Sequence, residues 1–462
     1  MAFFKAYDMR GAFGRDFDLD TVWRIGRWLP VALGARRVLV GRDARVSSEP
    51  IAGALCRGLT EAGCAVDDIG LATTPMVYFF TAQDGYDASV QITASHNPAH
   101  HNGMKVSRAG AVPVGYDTGL AEIEARVASG ALPPSAPVPG RRNGVAVRDR
   151  FVAWLRGRCP DLTGLRLAVD CSDGMAGLVI REVLGEGPLY LNATPDGRFP
   201  NHSPNPLEAE SRVQVAEAVR QHGLDVGVIF DGDADRVMFV DETGGFVQPD
   251  YLIPVIARTF LRREPGATVL HDVRTSRGVI ETLRADGARP VMGRVGHAFA
   301  KVLMRETGAV CGGELAGHYY FRDFFCCDSG ELAALTVLGA LAEQRRRGVT
   351  FSAHIAPIRR YANSGERNYR VRDPDAAIAA AVRTAEAFGT VVGRSGIDGV
   401  RLEWADGWVS LRPSHTEPYL RLIVEAEDGE RLARRLDALE TALAPFVAEE
   451  GGAAARGANG HA

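Results

Sequence analysis

Two kinds of block alternate along the chain: short unbroken apolar runs and longer amphipathic stretches. An amphipathic stretch over Leu19 to Leu33 is followed by the run Arg37-Val38-Leu39-Val40, which Gly41-Arg42-Asp43 closes. Helical periodicity returns through Ser48 to Ala62 and again after Thr73-Thr74-Pro75, and a second apolar run, Ala88-Ser89-Val90-Gln91-Ile92, comes after that. Short apolar runs of this kind predict buried strands, and the helices between them predict a layered α/β unit. The pattern then restarts. Leu165 to Val169, Val226 to Phe230 and Val237 to Val240 read as strands of a second unit; Thr268 to His271 and Arg289 to Met292 as strands of a third. From about Ile358 a smaller unit follows, with strand Gly407 to Leu411 and a return strand Tyr419 to Glu425. Between the first two units, Ala128 to Arg142 turns to Gly, Ala, Pro and Ser, which predicts an interdomain connection.

Length agrees with this division, since 462 residues exceed what a single core usually supports. The net charge of −4 and the lack of a long basic block argue against nucleic acid and acidic membrane surfaces as partners. The N-terminal residues meet charge at Lys5 and Asp8 without the apolar core of a secretory signal, and no run of eighteen apolar residues occurs. Seven cysteines, an odd number without a Cys-x-x-Cys pair, argue against a disulfide framework or structural zinc; a cytoplasmic location is expected.

Several loops carry chemistry. The run ending at Ile92 delivers Thr93-Ala94-Ser95-His96-Asn97-Pro98, then Asn102-Gly103-Met104-Lys105. Pro98 disfavours the helical conformation at Asn97, so Ser95 lies on a short constrained loop at a strand end. Between two apolar runs, Asp231-Gly232-Asp233-Ala234-Asp235-Arg236 sets three carboxylates at alternate positions. Like charges so close repel, and a cation resolves the repulsion. An EF-hand is excluded because its sixth position is Arg236 instead of glycine and both flanks read as strands. Mg²⁺ completed by a phosphate oxygen suits the loop better. Asp170 to Gly177 reads as a plain strand–helix turn. In Gly312-Gly313-Glu314-Leu315-Ala316-Gly317-His318, a Glu able to accept from sugar hydroxyls stands near a His able to exchange a proton. Arg412-Pro413-Ser414-His415-Thr416-Glu417-Pro418 offers a guanidinium fork and two hydroxyls, donors suited to a phosphate dianion.

TASHNP with NGMK, DGDADR, GHAF and the Glu314 and Arg412 loops occur in the order and spacing of the α-D-phosphohexomutases, and residues 3 to 445 resemble that family, its bacterial phosphomannomutase/phosphoglucomutase branch above all. The resemblance implies three related α/β domains and a smaller C-terminal α+β domain around a central cleft. The corresponding bounds are 1–142, 143–244, 245–356 and 357–448, with a disordered Gly/Ala-rich tail over 449–462. It implies Ser95 as the phosphoryl carrier, with Mg²⁺ held by Ser95, Asp231, Asp233 and Asp235. His96, Lys105 and His297 are its candidate acid/base groups, unranked. Tyr7, Arg10, Arg236, Arg274, Glu314, His318, Arg412, Ser414, His415 and Thr416 would bind the substrate, and Arg10 and Arg236 would also neutralise charge near the serine.

The implied reaction is Mg²⁺-dependent phosphomannomutase chemistry, extended to glucose phosphates, through a phosphoserine and a hexose 1,6-bisphosphate that also serves as activator. Small hexose phosphates are the expected partners, and the chain is expected as a monomer or homodimer. Two positions depart from the family pattern: Ala316 replaces a Ser of the sugar loop, and His415 replaces an Asn of the phosphate loop. Phosphoglucomutase and phosphoglucosamine mutase are the alternatives within the family, and a non-catalytic sugar-phosphate-binding protein is the alternative outside it.

Overall fold

The computed structural model describes residues 1, 3–413 and 419–448. Four sheets follow one another along the chain. The first orders its strands Met9–Ala12, His101–Arg108, Ala88–Ile92, Arg37–Arg42, Ala65–Leu71 and Arg142–Gly144, with Val112–Pro113 added beside His101–Arg108. Arg37–Arg42 pairs in parallel with Ala88–Ile92 and Ala65–Leu71, while His101–Arg108 pairs antiparallel with Ala88–Ile92; the helices Leu19–Leu33, Ser48–Glu61 and Thr74–Gln83 make the crossovers. The second sheet runs Phe246–Val247, Val237–Val240, Val226–Phe230, Leu167–Asp170, Leu189–Leu191; the third runs Arg289–Gly293, Thr268–Asp272, Cys311–Gly313, Tyr319–Phe321, Cys327–Asp328. The fourth is antiparallel throughout and packs the helices Pro374–Glu386 and Gly429–Leu443.

A repeated local device ties the first three units together. At the end of one strand in each, an aspartate Oδ1 accepts from the backbone N–H two residues on: Arg45 to Asp43 at 3.0 Å, Ser172 to Asp170 at 2.8 Å, and Arg274 to Asp272 at 2.7 Å. This aspartate turn stops the strand and fixes where the following loop leaves the sheet. The loops of Ser95, Asp231 and Glu314 leave from the strands next to these, Ala88–Ile92, Val226–Phe230 and Cys311–Gly313.

Two boundaries differ from the sequence pattern. The second unit's strand begins at Leu167 instead of Leu165 and extends through Asp170. The Ala128–Arg142 connection is bound to the first unit along its length. Pro133 O accepts from Arg27, Ala136 N–H donates to Glu61 O, and the chain ends in the edge strand Arg142–Gly144 beside Ala65–Leu71. Proline-rich composition hid this strand, which has neither apolar residues nor alternation.

The apolar cores explain how the units hold together. One core runs through the first three, where Phe79 packs against Trp154 at 5.0 Å and against Phe324 at 6.2 Å between ring centroids. The fourth unit has its own core around Trp404, Leu411, Leu422 and Leu439 and meets the third through polar bonds: Arg277 to Trp404 O and Arg401 to Val273 O and Thr275 O. Each of the seven cysteines is a free thiol, and no helix among the described residues is long and apolar enough to cross a membrane.

His271, on the inner strand Thr268–Asp272 of the third sheet, gives this fold an acid-sensitive point. Burial lowers its pKa to about 4 from the ordinary 6.5. The folded state therefore binds fewer protons than the unfolded chain between pH 6.5 and 4, and stability falls as pH falls through that window. His271→Phe should lose this share of the acid sensitivity, on the order of 3 kcal/mol. Urea midpoints at pH 7 and pH 4.5 measure it; an equal drop in both proteins would show that His271 plays no part.

Candidate active site

The cleft brings together the loops that the sequence separates by up to three hundred residues. Ser95 follows the strand Ala88–Ile92 in a left-handed conformation (φ 50°), strained for a residue with a Cβ, and it is 2% exposed. Its Oγ donates to Asp231 Oδ2 at 2.8 Å; Arg236 Nη2 lies 3.3 Å and His96 Nδ1 3.4 Å from the same oxygen. Phosphoserine candidate and acidic loop thus touch directly. Gly232 permits the approach, since a Cβ there would stand 2.6 Å from Ser95 O.

All three aspartates of the acidic loop are fully buried, and one oxygen from each lies within 4.8 Å of the others. Burial pushes Asp231 up to about 7, with Asp233 and Asp235 adding to the rise while Arg236 opposes it. Burial works the same way on Asp233, but Lys105 and Thr74 outweigh it and hold that carboxyl well below the usual range. Lys105 Nζ contacts Asp233 Oδ2 at 2.7 Å and pairs also with Asp235. Oδ1 of Asp233 and Oδ1 of Asp235 have no hydrogen-bond partner among the described residues. A buried carboxylate oxygen left without a donor is costly, and a divalent cation meets that demand. The donor set, all oxygen, fits Mg²⁺.

The candidate acid/base groups separate in this geometry. His96 is nearest the serine, and burial, then Arg236, Arg10 and Lys105, keep its ring neutral. Lys105 is held as an ammonium by its two aspartates, which overcome its desolvation. His297 lies further along the cleft, beside Tyr7 with 5.2 Å between ring centroids and 3.5 Å from Lys301 Nζ; burial keeps it neutral too. Arg10 reaches the serine loop through Asn97 Oδ1 at 3.0 Å and is anchored on Asp8.

On the opposite wall, Glu314 Oε1 accepts from Gly296 N–H and from the Tyr320 hydroxyl, each at 3.1 Å, and burial raises its pKa. His318 Nδ1 pairs with Asp328 at 2.7 Å, and Asp235 and Asp328 raise its pKa against the effect of burial. Arg274 pairs with Asp272 at 2.6 Å and approaches both Glu314 and Glu366. Glu366 also receives Arg412 at 3.0 Å and Arg421 at 2.8 Å, so three guanidinium groups converge where the third and fourth units meet. Ser414, His415 and Thr416 lie outside the described residues, as does the tail 449–462.

Sequence reasoning missed Arg45. Its side chain is fully buried and uses every N–H: Nε on Asp43, Nη1 on the carbonyls of Pro98 and His101, Nη2 on those of Ser95 and Asn97. The guanidinium also lies 4.9 Å from the Phe199 ring centroid, so the second unit covers it. A signal existed: Asp43-x-Arg45 and Asp272-x-Arg274 share one spacing, each at the end of a strand.

Four sequence-family profiles match in order. They are those of phosphoglucomutase/phosphomannomutase α/β/α domain I (residues 1–133), domain II (153–245) and domain III (248–361), and of the C-terminal domain (366–442). The chain belongs to the phosphoglucomutase/phosphomannomutase family and is a phosphohexomutase, an intramolecular phosphotransferase. A phosphomannomutase of Salmonella typhimurium is 39% identical over 435 residues, covering 92% of this chain and 94% of its own. A phosphohexose mutase of Xanthomonas campestris is 37% identical over 436 residues, covering 91% and 94%. In three dimensions, a phosphoglucomutase/phosphomannomutase family protein from Burkholderia thailandensis superposes with a TM-score of 0.86 at 32% identity, covering 96% of this chain and 97% of its own.

Proposed function

We propose that this phosphohexomutase interconverts mannose 6-phosphate and mannose 1-phosphate, and the corresponding glucose phosphates, through a phosphoserine at Ser95 and a hexose 1,6-bisphosphate. The observation that carries the reading is the placement of Ser95 Oγ between Asp231 and Arg236 (2.8 and 3.3 Å), where the acidic loop and a guanidinium meet. The mannose preference is supported by the phosphomannomutases among its relatives. Seven free thiols suit a reducing cytoplasm.

In the forward half-reaction a free hydroxyl of the sugar attacks phosphorus on Ser95. The new P–O bond to the sugar forms as the P–Oγ bond breaks. Asp231, Asp233 and Asp235 would hold Mg²⁺, which supplies positive charge to the transferring phosphoryl oxygens. Arg236 adds a fixed positive charge beside Oγ, where charge develops as the bond breaks. The proton lost by the attacking hydroxyl ends on the oxygen that leaves: Oγ in this half-reaction, the sugar oxygen when Ser95 later attacks the bisphosphate. Neutral His96, with Nδ1 3.4 Å from Oγ, is placed to relay it. Arg412 and the loop after it grip the phosphate that does not react. Glu314 and His318 meet sugar hydroxyls in both orientations of the intermediate, and Arg274 beside them adds a donor.

Turnover of mannose 1-phosphate and glucose 1-phosphate, with Mg²⁺ and a trace of hexose 1,6-bisphosphate, tests the reading. Both sugars should react, EDTA should stop turnover, and added Mg²⁺ should restore it. Acceptance of glucosamine phosphate alone would overturn the hexose reading, and full rates in EDTA would overturn the metal reading.

A further inference from the structure

The acidic loop belongs to the second unit, yet one of its carboxylates is oriented by the first. Thr74 opens the helix Thr74–Gln83 of the first unit, and its hydroxyl donates to Asp233 Oδ2 at 2.5 Å. Its backbone N–H donates to Asp233 O at 3.0 Å, so one residue grips both the main chain and the side chain of Asp233. All these groups are completely buried. Lys105, also from the first unit, occupies the same Oδ2 at 2.7 Å. With Oδ2 engaged twice, the free oxygen is Oδ1, which is buried without a hydrogen-bond partner among the described residues. Asp233 is therefore turned so that one oxygen is spent on protein donors and the other is offered inward.

A second helix start supports the loop from the far side. Gly330 opens the helix Gly330–Arg346 of the third unit, and its N–H donates to Ala234 O at 3.1 Å. A Cβ at Gly330 would stand 2.6 Å from that same oxygen. The positive ends of two helices, one from each neighbouring unit, thus flank three aspartates. Among the described residues, only the first of the two also touches one of these aspartates through a side-chain hydroxyl; at the second, Ser329 donates to Glu331 instead.

We infer that Thr74 is a positioning residue for the cation: by holding Asp233 Oδ2, it presents Oδ1 as a preset ligand and keeps the acidic loop in register with Ser95. The inference rests on the reading of Asp231, Asp233 and Asp235 as the cation ligands. Donors that orient a ligating carboxylate typically contribute 10- to 100-fold to affinity for the metal. Valine has the shape of threonine without the hydroxyl. Thr74→Val keeps the packing and the backbone N–H and removes only the grip on Oδ2. Thr74→Ser keeps the hydroxyl.

The test is a titration of the full-length protein with Mn²⁺, read as loss of the free-ion EPR signal, and with Mg²⁺ in competition. Thr74→Val should raise the Mn²⁺ Kd by about 10- to 100-fold, while Thr74→Ser stays at the wild-type value. Thermal unfolding without metal controls for the fold. Should Thr74→Val not fold, Thr74→Ala gives the same contrast with serine. Wild-type affinity in the folded valine or alanine protein would overturn the inference while leaving the cation site standing. A wild type that takes up no Mn²⁺ would overturn the cation site and the inference with it. Equal weakening in serine and valine would place the effect in packing and overturn the role of the hydroxyl.

Discussion

Ser95→Ala is expected to remove turnover of mannose 1-phosphate and glucose 1-phosphate, by on the order of 10⁶-fold, the scale set by loss of a covalently modified nucleophile. The size follows from what the oxygen does. In the proposed cycle each phosphoryl group is carried on Oγ, so its loss removes both half-reactions together. The fold should survive. Ser95 N–H donates to Thr93 Oγ1 at 2.8 Å, and Ser95 O accepts from Arg45 at 2.8 Å; both bonds use the backbone, which alanine retains. The left-handed φ of 50° costs alanine somewhat more than serine, on the order of 1 kcal/mol. Initial rates and intact-protein mass after incubation with hexose 1,6-bisphosphate are the measurements. The wild type should gain one phosphoryl group and the variant none. Turnover within tenfold of wild type in a folded Ser95→Ala protein would end the phosphoserine reading.

Arg45→Lys is expected to lower kcat by about 100-fold with KM nearly unchanged. Arginine uses its fixed fork to reach four carbonyls of the serine loop and one carboxylate, and an ammonium has three donors and no fork. At least two of the five acceptors lose their partner, and hydrogen bonds from a charged donor contribute about 1.5–3 kcal/mol each. The loop that sets Ser95 against Asp231 then relaxes, and a displacement near 1 Å at a reacting atom is enough for the loss stated. In the proposed reading the substrate's other phosphate is held by the fourth unit, around Arg412, so binding should change little. Steady-state kinetics beside circular dichroism decide the matter: a rise in KM with kcat preserved would mean that Arg45 does not act through Ser95.

Much of the site was legible because its parts are local. Ser95 on its loop before Pro98, the alternate aspartates 231, 233 and 235, and Glu314 with His318 each form a short segment whose spacing has a chemical meaning by itself. The strand ends that carry them were legible for a similar reason, since unbroken apolar runs mark buried strands wherever they occur. Arg45 and Thr74 were not legible in this way. A single arginine or threonine has no periodicity, and its role lies entirely in what another segment brings to it: carbonyls fifty or more residues away for Arg45, and a carboxylate 159 residues away for Thr74. The three candidate acid/base groups could not be ranked for the same reason. Lys105 is set apart by its pairing with Asp233 and Asp235, and His96 by lying 3.4 Å from Ser95 Oγ.

By itself, the sequence determined the alternation of strands and helices, the identity of the chemical loops and their order, because backbone hydrogen bonding and hydrophobic burial act on near neighbours and repeat with fixed periods. Only the tertiary structure decided which oxygen of Asp233 is free, which arginine holds the serine loop, and which histidine faces Ser95. Those are matters of direction and distance between segments, and they are set when the shared core of the first three units locks the loops against one another.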